Sequence, residues 1–320
     1  MLGILAGAVV LVVVAIAVLA IRLNSAVSGV DTIDEAFPTD DSTRPVQHET
    51  ESGKPINVLL LGSDTRGSGD DLIGTLGSRA DTIMVAHIPP DRESVQMMSI
   101  MRDSWVEIPG HGENKVNAAL AFGGVPLMVQ TVEGIIDQRI DHVAIVDFEG
   151  FKGLTEELGG VRLKNDVAFS RGGHSFAAGE ITISNGDAAL VYVRERMQFS
   201  DGDYQRVRNQ QAYMRGVMNQ LLSPQVLANP LRLADITDSI APHVRRSSTL
   251  SSTELASMGA SMIAANQGRP DVQMFTMPTN GTGMIGSQSV VHVNWDGVEQ
   301  IREAFKEESM SDFTPPAATP

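Results

Sequence analysis

The 320-residue sequence contains no cysteine. That absence excludes a disulfide framework, a thiolate nucleophile, a cysteine-ligated metal and a thioether lipid anchor. Aromatic residues are few, at 5%, in a composition otherwise ordinary for a folded chain, with 42% hydrophobic and 20% charged residues. Basic residues are outnumbered: 24 Lys and Arg face 39 Asp and Glu, for a formal net charge of -15. Such a chain does not hold nucleic acid through a general basic surface, and it carries no helix-turn-helix signature. Any anionic ligand must be met by a local cluster of cations, because the global field repels it. The sequence also lacks a G-x-S-x-G elbow, a Walker loop and an internal repeat, and its seven His show no metal-ligand spacing.

The longest feature present is an uncharged apolar run at residues 2–21, closed by Arg22. About 20 apolar residues suffice to cross a bilayer core. No Ala-x-Ala cleavage site follows at the usual distance, so the run reads as a retained single-pass membrane anchor over residues 1–23 and not as a cleaved signal peptide. No Lys or Arg precedes it, so flanking charge does not orient it.

Residues 24–54 are polar and acidic, with Pro38 and Pro45, and read as a linker with little to bury. A folded domain begins at residue 55. Apolar runs predict strands at 56–61, 82–88, 94–101, 142–146, 188–195, 272–277 and 290–293. Helices are predicted at 117–122, 126–137, 148–158, 203–222, 226–233, 253–265 and 295–306. Gly159-Gly160 suits a helix end. The alternation implies an α/β layered single domain with a central mixed β-sheet flanked by helices. Residues 223–310 form the C-terminal part of that domain, and the Pro/Ala-rich 311–320 reads as a disordered tail.

Three constellations carry the chemistry. Asp64 ends one predicted strand and Asp81 begins the next, so antiparallel pairing would bring both carboxylates to one sheet end. Two hard oxygen ligands there suit Mg²⁺, although Asp is also a routine turn residue. Arg194 and Arg196, two apart on the predicted strand 188–195, would share a face and lead into a helix whose Asp203, Arg206 and Gln210 form one stripe. Guanidinium groups bind phosphate bidentately, and the same residues could equally form a salt-bridged surface. Arg102-Asp103 follows the strand 94–101, and Lys115 precedes a helix start at Asn117, another arrangement suited to an anion. Together these describe a phosphate-plus-divalent-metal site. Fifteen Met read as core filler whose adaptable side chains would also suit a lipid tunnel.

The segments NVLLLGSDTR (57–66), SRADTIMVAHI (78–88), SIMRDSWVEIPGHGENKVNAA (99–119), VDFEGF (146–151) and YVRERMQFSDGDYQRVRNQQ (192–211) resemble, in this order, the LytR-CpsA-Psr family of cell-wall proteins. The resemblance covers residues 55–222, the catalytic core of such proteins. It implies a phosphotransferase that moves an anionic glycopolymer from a polyprenyl-pyrophosphate carrier to the C6 hydroxyl of peptidoglycan N-acetylmuramic acid. It further implies an extracytoplasmic domain tethered to the cell membrane, with the lipid in an apolar tunnel. Carried over by residue, Asp64 and Asp81 match the Mg²⁺-linked acidic positions. Arg79, Arg102, Lys115, Arg194, Arg196, Arg206 and Gln210 match the pyrophosphate-binding positions, and Asp203 is a further acidic site residue. Ala80 and Met101 replace the commoner Ser and Pro, and the stretch between the acidic motifs is longer than usual. A pyrophosphatase of the same lipid donors, a membrane-bound transcriptional regulator and a non-catalytic lipid-glycan presenting protein are the competing readings.

Overall fold

The computed structural model describes residues 30–47, 49, 53–63, 80–221, 223, 226, 229–265 and 271–320. The apolar run at 2–21, and with it the expected membrane anchor, lies outside the described residues, as do Asp64 and Arg79.

The strands are β1 (Asp31–Ile33), β2 (Ile56–Ser63), β3 (Ala80–Ile88), β4 (Ser94–Ile100), β5 (Ser104–Ile108), β6 (Gly112–Lys115), β7 (His142–Val146) and β8 (Val161–Asn165). They continue as β9 (Phe169–Arg171), β10 (His174–Phe176), β11 (Gly179–Ile183), β12 (Val244–Ser247), β13 (Asp271–Thr276), β14 (Thr279–Ile285) and β15 (Gln288–Val293). The described helices are α1 (Ala118–Ile136), α2 (Phe148–Glu157), α3 (Gly186–Arg194), α4 (Asp203–Leu221), α5 (Pro230–Ile240), α6 (Ser252–Ala265) and α7 (Trp295–Lys306).

Seven strands form a central mixed sheet in the order β1-β12-β7-β2-β3-β4-β13. Three pairs are parallel (β1 with β12, β7 with β2, β4 with β13) and three are antiparallel (β12 with β7, β2 with β3, β3 with β4). Strand alternation sends successive side chains to opposite faces. Leu59, Leu61, Ile83, Val85, Met98 and Ile100 point to the face that α1 and α7 cover. Val58, Met84, Ala86, Val95 and Met97 point to the other face, where α6 contributes Met258 and Met262 and α4 contributes Met214. A third cluster, built on Tyr192, Tyr213, Phe169 and Phe176, ties α2, α3 and α4 to the β8–β11 hairpins. A second sheet, ordered β14-β15-β5-β6, abuts the end of β4.

The two helices expected at 117–122 and 126–137 are present, joined end to end as α1 across a kink. Its path breaks at Gly123 and at Gly124, whose φ of 65° and ψ of −157° suit only glycine, just before Pro126. Among the described residues it is the helix long and apolar enough to cross a membrane, and over half of its apolar window is buried in this fold.

Four expectations are corrected. Residues 188–195 are not a strand: 188–194 lie in α3, with Glu195 as its C-cap, and Asn185 caps the helix start by accepting from the Ala188 N–H at 2.9 Å. A short apolar run reads equally as buried strand or buried helix, and the cap decides it. The 24–54 stretch is not a bare linker, because β1 pairs with β12, Ile33 and Ala36 are buried, and Arg44 reaches Glu133 on α1 at 2.6 Å. The helix expected at 226–233 runs instead over Pro230–Ile240, where Pro230 stands at the first position. The 311–320 tail is held against β14: the Thr319 N–H donates to the Thr279 carbonyl at 3.2 Å, and the Thr279 hydroxyl donates to the Thr319 carbonyl at 3.0 Å.

Candidate active site

The site forms where the two sheets meet. β4 belongs to the central sheet and β5 to the second, so Met101-Arg102-Asp103 is the crossing between them. Its backbone is clamped: the Asn117 N–H donates to the Arg102 carbonyl at 3.3 Å and the Val291 N–H to the Asp103 carbonyl at 2.9 Å. In the antiparallel β3–β4 pair Ile83 faces Ile100. Continuing that register by two residues brings Asp81 opposite Arg102, and their side chains form an ion pair. The strand pairing expected of the acidic motifs is present, with Ser63 opposite Ala80.

Arg102 also lies 3.6 Å from Asp103 through Nε, and Asp103 accepts Lys115 Nζ at 3.1 Å. Lys115 arrives on the last residue of β6, the neighbour of β5. A second ionic group sits on the start of α4. Asp203 Oδ1 lies 3.3 Å from Arg196 Nη1, and Asp203 Oδ2 lies 3.0 Å from Arg206 Nη2. A carboxylate in the first helical turn is favoured by the helix dipole. Tyr204 anchors that turn through a 2.9 Å hydrogen bond between its hydroxyl and that of Thr279 on β14.

The two groups sense one another. Burial opposes the charge on Arg102, but Asp81, Asp103 and Asp203 together outweigh it and raise its pKa. Burial lowers the pKa of Arg206, with the positive charges of Arg102 and Arg196 adding to the effect against Asp203 and Asp81. Among the described residues both guanidiniums keep an unmatched donor, since Nε of Arg102 and of Arg206 is buried there without a hydrogen-bond partner. Such concentrated cationic charge is costly to hold unpaired and is relieved by an anion.

A cleft of about 980 Å³ opens at this seam, lined by Arg102, Asp103, Lys115, Arg196, Asp203 and Tyr204, with Asn117 and the β15 edge opposite. Arg206 lies directly behind Asp203, only 7% exposed. Six of the ten expected residues therefore converge: Asp81, Arg102, Lys115, Arg196, Asp203 and Arg206. Asp81 and Arg206 join this cluster through their ion pairs from behind the cleft wall, and two other described residues stay apart from it. Arg194 ends α3 and stacks its guanidinium 4.7 Å over the Phe148 ring. The Gln210 side chain turns back to donate to the Val193 carbonyl at 3.3 Å. Arg194 and Arg196 also do not share a strand face; they flank the turn at the end of α3, where Glu195 is the buried residue.

Glu195 is the residue that sequence reasoning passed over. Its Oε1 accepts the N–H groups of Arg196, Met197 and Gln198 at 3.0, 2.7 and 3.2 Å, and its Oε2 lies 3.3 Å from Arg171. It therefore shapes the turn that presents Arg196. A lone acid between two arginines carries no sequence signal for that role.

An α/β domain with a cationic, carboxylate-lined cleft at the seam of two sheets has the charge and geometry suited to an anionic group. Residues 22–307 match the LytR_cpsA_psr family, and the chain belongs to that family. It is similar to the polyisoprenyl-teichoic acid–peptidoglycan teichoic acid transferase TagU of Halalkalibacterium halodurans, at 39% identity over 178 residues, covering 55% of this chain and 57% of that protein. The TagU of Enterococcus faecalis is 35% identical over 199 residues, covering 62% and 64% respectively. The chain thus spans about three fifths of the length of the curated relatives it matches. Among solved structures, the crystal structure of B. subtilis TagV aligns with a TM-score of 0.66 at 24% identity, covering 82% of this chain and 99% of that one, which establishes the shared fold.

Proposed function

We propose that this chain is a membrane-anchored phosphotransferase that moves an anionic glycopolymer from a polyprenyl-pyrophosphate carrier to the C6 hydroxyl of peptidoglycan N-acetylmuramic acid, outside the cytoplasm. The convergence of Arg102, Lys115 and Arg196 on a cleft of an acidic chain, with Arg206 paired to Asp203 behind its wall, carries the reading, because such a cluster is suited to a pyrophosphate. The relatives named as teichoic acid transferases support the donor and acceptor classes.

In this reading the arginines and Lys115 bind the pyrophosphate and stabilise the charge that develops on the leaving group. The acceptor hydroxyl oxygen bonds to the glycopolymer-proximal phosphorus while the bridging P–O bond breaks. Polyprenyl phosphate leaves with that bond's electron pair, and the hydroxyl proton passes to a carboxylate. Asp203 has both oxygens engaged by arginines, so it positions Arg196 and Arg206. Asp81 uses Oδ1 for Arg102 and makes no hydrogen bond through Oδ2 among the described residues, leaving one oxygen for the acceptor hydroxyl or a metal.

Among the described residues no three His, Asp or Glu side chains converge as a complete metal site. One open carboxylate oxygen beside a phosphate cradle fits Mg²⁺, which commonly takes one or two carboxylates plus substrate phosphates. Asp81, with Asp64, would hold it, and when bound it would neutralise and polarise the pyrophosphate. The Met-rich sheet face under α6 supports placing the polyprenyl chain there, since adaptable Met side chains fit a long irregular apolar ligand.

The test is to assay the purified protein with a lipid-linked donor, with and without peptidoglycan. Arg102→Ala should lower transfer by about 10²–10³-fold with the fold intact, the scale of losing one preorganised charge-stabilising donor. Undiminished transfer by that variant overturns the reading, and turnover independent of acceptor replaces the transferase with a pyrophosphatase.

A further inference from the structure

A second charged groove lies beside the active cleft. It has a volume of about 660 Å³ and runs between β8 and α4. Its helix wall carries Arg208 and Arg215, seven residues apart and therefore on one face of α4. Its strand wall carries Arg162 and Lys164, whose alternation on β8 turns both outward while Leu163 goes to the core. Gly216 is what allows the two walls to approach: a Cβ there would lie 2.5 Å from the Arg162 carbonyl oxygen. The packing of β8 against α4 fixes the groove's walls, and exposed side chains supply its charge.

The charge balance in the groove opposes that of the chain. Four cations line it against two carboxylates, Asp166 and Glu180, in a chain of net charge -15. Arg208 is paired with Asp201. Arg162, Lys164 and Arg215 form no ion pair among the described residues. The Arg208–Asp201 pair also gives the groove its direction, because Asp201 lines the active cleft while Arg208 lines the groove. An anionic chain leaving the cleft over this pair meets Arg215, Lys164 and Arg162 next.

We propose that this groove is a polyanion track that binds the phosphate-bearing body of the glycopolymer while its terminal pyrophosphate occupies the active cleft. The inference rests on the transferase reading and adds to it a site for the polymer itself, recognised through repeated phosphates and not through a particular sugar. Exposed cations lining one groove attract such a chain through screened Coulomb forces, so the contribution falls as ionic strength rises. A donor carrying a single disaccharide is too short to reach the groove and gains nothing from it.

The experiment compares two lipid-pyrophosphate donors, one bearing a single disaccharide and one bearing a long poly(glycerol phosphate) chain. It uses the full chain and the triple variant Arg162→Ala, Lys164→Ala, Arg215→Ala. The expected result is a KM for the long donor raised about tenfold in the variant, equivalent to about 1.4 kcal/mol, with kcat retained. The short donor should be handled as by the unsubstituted chain, which also reports that the variant is folded. The KM of the unsubstituted chain for the long donor should climb with salt, and that dependence should flatten in the variant. A long-donor KM unchanged by the three substitutions overturns the track while leaving the transferase reading in place. If the unsubstituted chain turns over neither donor, the transferase reading falls and the track falls with it.

Discussion

The two faces of the central sheet are built from the same strands and packed to different standards. On one, α1 and α7 seal a cluster in which Leu59, Met128, Val129, Val132 and Ile140 are wholly inaccessible. On the other, Val58, Leu250, Met258 and Met262 retain 7–9% exposure, and partly buried Leu60, Met214 and Met274 complete the lining. Among the described residues four of nine buried apolar side chains on this face are Met, against four of thirty on the sealed face. Branched and rigid side chains specify one arrangement, whereas Met tolerates several. The difference separates a tightly specified face from a more adaptable one, the face proposed above to take the lipid.

The sealed face should therefore show the largest stability losses. Its most sensitive element is the buried pair at its edge, where Glu133 accepts Arg44 Nη2 at 2.6 Å and the Ile140 N–H at 2.9 Å. Both side chains are almost fully buried, at 6% and 1% exposure. Glu133→Ala strands the guanidinium of Arg44 and should cost about 3–5 kcal/mol, read by denaturant unfolding. A loss below about 1 kcal/mol would mean that the 30–47 segment is not locked to α1 as the packing requires. Truncations within the two clusters give the next contrast. Leu59→Ala should fall toward the top of the range of about 2–5 kcal/mol and Met258→Ala toward the bottom, because the looser face can relax into the space created. Equal losses would erase the distinction.

Much of this architecture can be read from residue patterns, and what cannot has physical reasons. β2, β3, β4 and β7 stand out as branched apolar runs, and α2, α4, α6 and α7 as periodic segments with recognisable ends. The three-residue β1 has Asp31 and Thr32 exposed, so it carries no hydrophobic pattern; only its pairing with β12 across the chain makes it a strand. The β8–β11 hairpins hide for the same reason, alternating with charge over few residues. Asp81 and Arg102 are legible because each stands at the end of a strong strand. Gln210 and Arg194 show the limit of spacing arguments. Gln210 fits a helical stripe and Arg194 a strand face by spacing, yet local partners, the Val193 carbonyl and the Phe148 ring, take their side chains away from the cleft.

The finest test of the comparison exchanges the chemistry of the two faces without changing their volume. Leu59→Met places an adaptable side chain in the sealed cluster, and Met258→Leu places a branched one on the adaptable face. Both swaps conserve size, so each should change stability by less than about 1.5 kcal/mol. Their functional consequences should differ. Leu59 touches only the packing beneath α1 and α7, so Leu59→Met should leave the KM for a polyprenyl-linked donor unchanged. Met258 faces the cluster assigned to the lipid, and Met258→Leu should raise that KM by about two- to five-fold, the scale of about 0.4–1 kcal/mol of lost fit. A donor on a short water-soluble lipid should be insensitive to both. If Met258→Leu changed neither donor, the Met-rich face would be ordinary core, and the polyprenyl chain would have to lie elsewhere on the molecule.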